Sequence, residues 1–336
     1  MVPNNWRFKA WLKAALFCLL AGALPLRAEL FQVEAPATGV AVEDQQAAFD
    51  LLLLRLTGDP ATRSLPVIAK ARGNISPFVQ QFSYSDDSIS VRFNSQMVGQ
   101  LLTQAEVRQL GQHRPAVLMW YAVEQGFNRS LLSEAQQAEM MAELNEQTAE
   151  LALSLQWPIL DLQDTAIVDV NDVWGSFDRN IYQASERYSS PLVMTVKQFP
   201  LSDGSLQLQW RLLDAQARTQ LASGQAQGDS QVAADQLSSQ LLQAMVERYG
   251  VVLNEANGES VLLSFSGLRS LNRMILLESY LNQQPAVARV QLHSLQGETV
   301  TYRVELLSPW QDLQTALSVD EQFEVDQENP SQYLLR

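Results

Sequence analysis

The sequence predicts a mixed α/β and α+β chain built from three small modules, and three observations predict it. Residues 116–123 form an almost unbroken apolar run after Pro115, the signature of a strand buried on both faces. Residues 192–227 alternate as three successive strands between helical stretches, which implies a mixed sheet with helices on its faces. Residues 260–325 read in the order βαββαβ, the split-βαβ, ferredoxin-like arrangement. A length of 336 residues also favours two or three domains, and the breaks fall at 29–112, 113–250 and 251–336.

Residues 1–28 read as a secretory signal peptide. Arg7, Lys9 and Lys13 form a positive start, an apolar run covers 14–24, and Ala28 offers a small residue at the cleavage point. A membrane-crossing helix needs about 20 apolar residues, and this shorter run is broken by Gly22 and Pro25. The only cysteine, Cys18, follows Phe17 and stands three residues after Ala15, a context unlike a lipid-attachment site. Cleavage leaves no cysteine, so no disulfide forms and the fold rests on its apolar core. The expectation is a soluble periplasmic protein, secreted across the inner membrane, with no transmembrane segment after cleavage.

In the first module, 30–34 alternates as a strand. A helix over 42–57 carries Phe49, Leu52, Leu53 and Leu56 as its stripe, with Gly58 as its stop. Asp59 and Pro60 open a second helix to about Lys70. Strands at 79–84 and 89–93 flank a polar turn at Ser85-Asp86-Asp87-Ser88, and a helix over 97–105 closes a βααββα order. In the second module, the strand at 116–123 precedes a helix over 133–155 with Ser133 as cap. Strands are then expected at 157–160 and 166–170. One helix from Asn171 or Asp172 carries Trp174, Phe177, Ile181 and Ala184, and a final helix covers 232–249. In the third, a helix over 267–282 turns Leu271, Ile275, Leu276 and Leu281 inward. Gln296-Gly297-Glu298 joins two strands as a hairpin, and the last strand is 322–325.

Charge and motif content exclude several function classes. Without residues 1–28 the chain holds 19 basic and 37 acidic residues, a net charge of −18, which repels phosphate backbones and argues against nucleic acid. Gln is abundant and reads as neutral surface on folded helices. His113 and His293 are the only histidines, and neither has a His, Cys or acidic residue at ligand spacing. There is no nucleophile elbow, phosphate loop or dinucleotide fingerprint, so no cofactor or metal is expected. Asn74-Ile75-Ser76 and Asn128-Arg129-Ser130 match glycosylation sequons, which matter only in a eukaryotic secretory pathway. Asp161, Asp164, Asp169 and Asp172 are the most suggestive group. They read either as a carboxylate pair for acid/base or cation chemistry, or as ordinary turn and cap residues. The most distinctive string is 172–177 (DVWGSF). There Asp172, Trp174 and Phe177 form the candidate partner-binding surface, beside any exposed sheet edge able to accept a strand. Trp120, Trp157, Trp210 and Trp310 read as core or domain-contact aromatics.

Four ordered strings carry a resemblance: 49–58 (FDLLLLRLTG), 114–120 (RPAVLMW), 158–162 with 172–177 (PILDL and DVWGSF), and the C-terminal αβ unit. Together they resemble an uncharacterised exported proteobacterial family, a domain of unknown function (DUF 2066), which brings no activity and no catalytic residues. The middle segment is similar to the anticodon-binding-like domains of envelope assembly factors, among them the curli secretion protein and the N-terminal domain of the Tol translocation protein. The first segment looks like a small module of a flagellar assembly protein. Three small α/β modules, a signal peptide and the lack of a catalytic constellation, together with this resemblance, point to a non-enzymatic scaffold or assembly factor that binds a protein partner in the cell envelope. Two other readings stay open. One is an envelope hydrolase or ligand-binding protein using the Asp161–Asp172 cluster, and the other is a small-ligand sensor on the last module.

Overall fold

The computed structural model describes residues 30–112, 114–132, 138–254, 259–318, 320, 322–326 and 329–335. The signal segment with Cys18, His113 and the expected cap Ser133 lie outside them. Among the described residues the chain is mixed α/β with several sheets, and no helix is long and apolar enough to cross a membrane.

The first sheet is three-stranded and antiparallel in the order β1-β3-β2, with β1 at Gln32–Pro36, β2 at Val79–Ser85 and β3 at Ser88–Phe93. Helices α1 (Ala41–Thr57), α2 (Pro66–Gly73) and α3 (Ser95–Gln104) supply the rest of its core. In α1 the expected stripe of Phe49, Leu52, Leu53 and Leu56 is buried, worth about 2 kcal/mol per side chain. Gly58 ends the helix in the left-handed region, where its N–H donates to the Leu54 carbonyl. The second expected helix is divided instead. A 3-10 turn at Pro60–Ser64 stops at Leu65, held extended at ψ 137° because the following Pro66 disfavours helical backbone before it.

The second sheet has the path β10-β9-β8-β5-β6, with β7 also beside β5. After β4 (Arg108–Gln109) come β5 (Val117–Gln125), β6 (Asn128–Leu131), α4 (Ala138–Glu150) and β7 (Leu155–Gln156). Three short helices follow: α5 (Leu162–Thr165), α6 (Val170–Gly175) and α7 (Asp178–Ser185). Then come β8 (Leu192–Pro200), β9 (Leu206–Asp214), β10 (Thr219–Gly228), α8 (Ser230–Tyr249) and β11 (Val251–Val252). β5 and β8 run parallel, from Val117↔Leu192 to Val123↔Gln198, and the other main pairings are antiparallel. β5 is buried on both faces, as its apolar run predicts. Met119, Tyr121 and Val123 join the core under α4 and α8, while Leu118, Trp120 and Ala122 join the one under α6 and α7.

Three expectations in this region are corrected, and one hairpin is new. The strand at 157–160 is absent, and pairing stops at Gln156 before Pro158 and a left-handed Leu160 (φ 57°). The stretch 166–170 is not a strand but the link between α5 and α6. The single helix carrying Trp174 and Ala184 breaks at Ser176, whose φ of 58° lets the Phe177 N–H close on the Asp172 carbonyl at 2.8 Å. The hairpin β5–β6, turning at Gly126 and Phe127, was not expected.

The third sheet is five-stranded in the order β13-β14-β12-β16-β15. Its elements are β12 (Ser260–Ser266), α9 (Leu271–Asn282), β13 (Val287–Gln296), β14 (Thr299–Leu306), α10 (Trp310–Ser318), β15 (Phe323–Val325) and β16 (Gln332–Leu335). The hairpin turn at Gly297 forms as expected, with φ 62° there. The βαββαβ order runs through β15, but an additional strand changes the sheet. In a four-stranded split-βαβ sheet the last strand lies beside the first. Here β16 takes that place, parallel to β12, and β15 is displaced to the edge. Leu281 is buried in α9, but Leu271, Ile275 and Leu276 are exposed. The packed stripe runs through Met274, Leu277 and Leu281, and the other three fall on different flanks of the helix.

Candidate functional site

The segment 158–188 carries both motifs singled out in the sequence, and the structure gives their parts different work. Asp161 caps α5, accepting from the N–H groups of Gln163 and Asp164, and is held by both terminal nitrogens of Arg187 at 2.7 and 3.1 Å. Asp164 is fully buried. One oxygen accepts from Arg187 at 3.0 Å; the other accepts from the Leu160 N–H and the Tyr188 hydroxyl. Asp169 and Asp172 form a reciprocal capping box on α6. Asp169 accepts from the N–H of Asp172, and Asp172 accepts from the N–H of Asp169 at 2.8 Å. The second Asp172 oxygen accepts from the Asn180 side-chain amide.

The four carboxylates therefore do not converge. They split into an Arg187-centred pair and a cap. Among the described residues no group of His, Cys, Asp and Glu is arranged to hold a metal. Arg187 lowers the Asp161 pKa to about 2, chiefly through its hydrogen bonds. Because the folded value lies below the ordinary one, this stabilisation is fully present above about pH 4 and lost as pH falls toward 2. Asp161→Asn is expected to melt a few degrees below the parent at pH 7, the gap closing between pH 4 and 2. Melting curves across that range check it, and a gap that persists at pH 2 refutes the assignment.

Of the candidate partner-binding residues, Asp172 is buried while Trp174 and Phe177 reach the surface. Trp174 is half-buried, with its ring 4.8 Å from that of Phe199 and the Arg129 guanidinium 4.0 Å from its centre. Glu124 fixes Arg129 by an ion pair at 2.8 Å. Phe177 is 60 % exposed, and its ring lies so close to Gly175 that a Cβ there would sit 2.6 Å from it. Phe127 projects from the β5–β6 turn, fully exposed. Lys197 donates to the Ser176 hydroxyl at 3.2 Å, tying the α6–α7 break to β8. These side chains gather at the carboxyl ends of the parallel pair β5 and β8, the end of an open α/β sheet where ligands dock. Arg129, Phe127 and Phe199 are absent from the sequence-level site. The dipeptide Gly126-Phe127 between two β-rich runs was the available signal for the first two.

Residues 27–111 match the family model of a domain of unknown function, DUF8605. The match fits the expectation of an uncharacterised domain and extends over the first module. No curated protein matches the sequence. Similarity to solved structures includes TolB from Acinetobacter baumannii, at TM-score 0.27 and 10 % identity, over 47 % of this chain and 33 % of that one. It also includes the lipoprotein GNA1162 from Neisseria meningitidis, at TM-score 0.25 and 13 % identity, over 40 % of this chain and 95 % of that one. The C-terminal domain of LpoB from Salmonella enterica matches at TM-score 0.21 and 12 % identity, over 34 % of this chain and 82 % of that one. The chain spans a third of the TolB chain. Likenesses of this size carry no functional argument.

Proposed function

We propose that this chain is a non-enzymatic protein of the cell envelope that binds another protein through the aromatic surface around Trp174. The observation that carries the reading is Trp174 in contact with both Arg129 and Phe199, with Phe177 exposed three residues after it and Phe127 exposed on the turn of the hairpin that carries Arg129. Trp, Arg and other aromatics are the anchors of protein interfaces, because they bury large area with few torsions to freeze. Export is supported by the charged start, apolar run and small residue of 7–28. The division into modules at 29–112, 113–250 and 251–336, and kinship with the exported DUF 2066 family, belong to this proposal. A hydrolase built on the Asp cluster is disfavoured, since each of its carboxylates already accepts hydrogen bonds from the chain itself.

In-cell crosslinking of the full chain with mass spectrometry tests the reading. One dominant protein partner is expected, and its capture should fall about thirtyfold on changing Trp174 to Ala, as for an interface anchor. Phe177→Ala should have a smaller effect in the same direction. Equal capture by both variants, or nothing above background, would refute it.

A further inference from the structure

A pocket of about 240 Å³ opens on the second sheet, lined by side chains of β8, β9 and β10. The register sets that lining. Thr195 lies opposite Arg211 and Arg211 opposite Ser223, while Lys197 lies opposite Gln209 and Gln209 opposite Gln225. Thr195 and Lys197 also pair with Trp120 and Ala122 of β5, which belong to the core under α6 and α7. Two polar rows therefore continue the same face of the sheet beyond its apolar part. The two-residue period of β8 places Phe199 next on that face, and Phe199 meets Trp174. The pocket thus adjoins the proposed partner surface.

Its charges do not cancel. Arg211 is held by Asp178 at 2.9 and 2.7 Å, and its Nε donates to Gln220. Lys197 donates to the Ser176 hydroxyl and makes no ion pair among the described residues. Two cations and one carboxylate leave a single positive charge, in a chain whose net charge is −14. Burial, and then the Arg211 charge, lower the Lys197 pKa, and Asp178 offsets them only in part. The ammonium has lost water without gaining a counter-ion. Thr195 is 3 % exposed, yet its hydroxyl has no hydrogen-bond partner among the described residues. It is not one of the unpaired atoms sealed from solvent, and it lines the pocket beside Lys197. A carboxylate answers both groups, since it carries one negative charge and accepts from an ammonium and a hydroxyl at once. A phosphate monoester, at about −1.5 to −2 near pH 7, brings more charge than the pocket balances. The volume lies below the roughly 300 Å³ at which small-molecule sites begin, so the pocket suits the end of a larger molecule.

We infer that Lys197 and Thr195 receive a single carboxylate, a chain terminus or an acidic side chain, of the protein that docks on Trp174. The inference rests on the reading of the chain as a protein binder and names the chemistry its partner presents beside the aromatic anchor.

The purified full chain is acylated with a limiting succinimidyl ester. Label on Lys197 is compared by mass spectrometry with label on Lys70, which is exposed on α2. Millimolar N-acetylalanine, which mimics a chain terminus, should slow Lys197 labelling about threefold and leave Lys70 unchanged. N-acetylalaninamide and glycerol phosphate should give no such protection. Thr195→Val should abolish most of the protection while its melting temperature holds, since that hydroxyl has no partner to lose. The same variant should lower partner capture about threefold in the crosslinking described above. Trp174→Ala should leave the protection in place, so failure of the aromatic surface is read separately. The inference is overturned by absence of protection, by equal protection from the amide or the phosphate, by protection that survives Thr195→Val, or by partner capture that Thr195→Val leaves unchanged.

Discussion

Arg114→Ala is expected to lower stability by about 3 kcal/mol, through the loss of one guanidinium that closes two helix ends at once. Arg114 opens the string 114–120 yet faces no carboxylate. Its Nη2 donates to the Arg55 carbonyl at 2.6 Å, and its Nη1 to the carbonyls of Leu151 and Ala152 at 2.9 and 3.4 Å. Its Nε closes on Gly111 at 3.1 Å. Arg55 lies in the last turn of α1, and Leu151 follows the end of α4, so these are carbonyls a helix leaves without internal partners. Each helix also presents the negative end of its dipole there, which replaces the missing counter-ion. Arg55 completes the joint, donating to the carbonyls of Glu150 and Gln32. Lost hydration around Arg114, and secondarily the Arg55 charge, lower its pKa to about 9, so it remains cationic at neutral pH. Arg114→Lys should cost about 2 kcal/mol, since an ammonium cannot reproduce the planar fork. Urea unfolding followed by far-ultraviolet circular dichroism measures both, and a loss below about 1 kcal/mol for Arg114→Ala would refute the staple.

The parts of the fold legible in the sequence are those set by short-range physics. α1 shows its stripe and its Gly58 stop, β5 shows apolar residues on both faces, and the Gly297 turn shows its left-handed residue. What was not legible depends on contacts distant in sequence or on local patterns with two solutions. Ser176 is an ordinary residue in a left-handed conformation, and the break there needs the Phe177 ring folded on Gly175. Periodicity placed Leu271, Ile275 and Leu276 on a helix, but which flank packs is decided by a sheet that β16 and β15 complete some fifty residues later. At the site, the Asp group was readable in general terms as turn and cap residues, but the helix was expected to start at Asn171 or Asp172, whereas Asp169 caps it. The partition of these carboxylates between Arg187 and the α6 cap was not legible, because Arg187 lies 26 residues beyond Asp161. Trp174 was visible as a distinctive residue, whereas Arg129 reaches it only through the unexpected β5–β6 hairpin.

Asp164→Ala is expected to cost about 3–5 kcal/mol, because its carboxylate is the buried centre on which three groups close. The side chain has no exposure, and its ion pair at 3.0 Å is with the same Arg187 Nη1 that also bonds Asp161 at 2.7 Å. Truncation leaves the Leu160 N–H and the Tyr188 hydroxyl without their acceptor. Tyr188 also receives the Ile159 N–H at 2.8 Å and stacks edge-on to Trp120 at 6.3 Å, so the damage reaches the sheet. Asp164→Asn retains an oxygen for these donors but not the charge facing Arg187, and should lose about half as much. The same pair of variants separates an architectural carboxylate from a catalytic one. An architectural role predicts that both variants bind the proposed protein partner as the parent does at a temperature where they remain folded, with the near-ultraviolet signal of the Trp120 environment lost earlier on heating. Full stability in Asp164→Asn together with loss of cellular function would reverse the assignment and return the acidic cluster to chemistry.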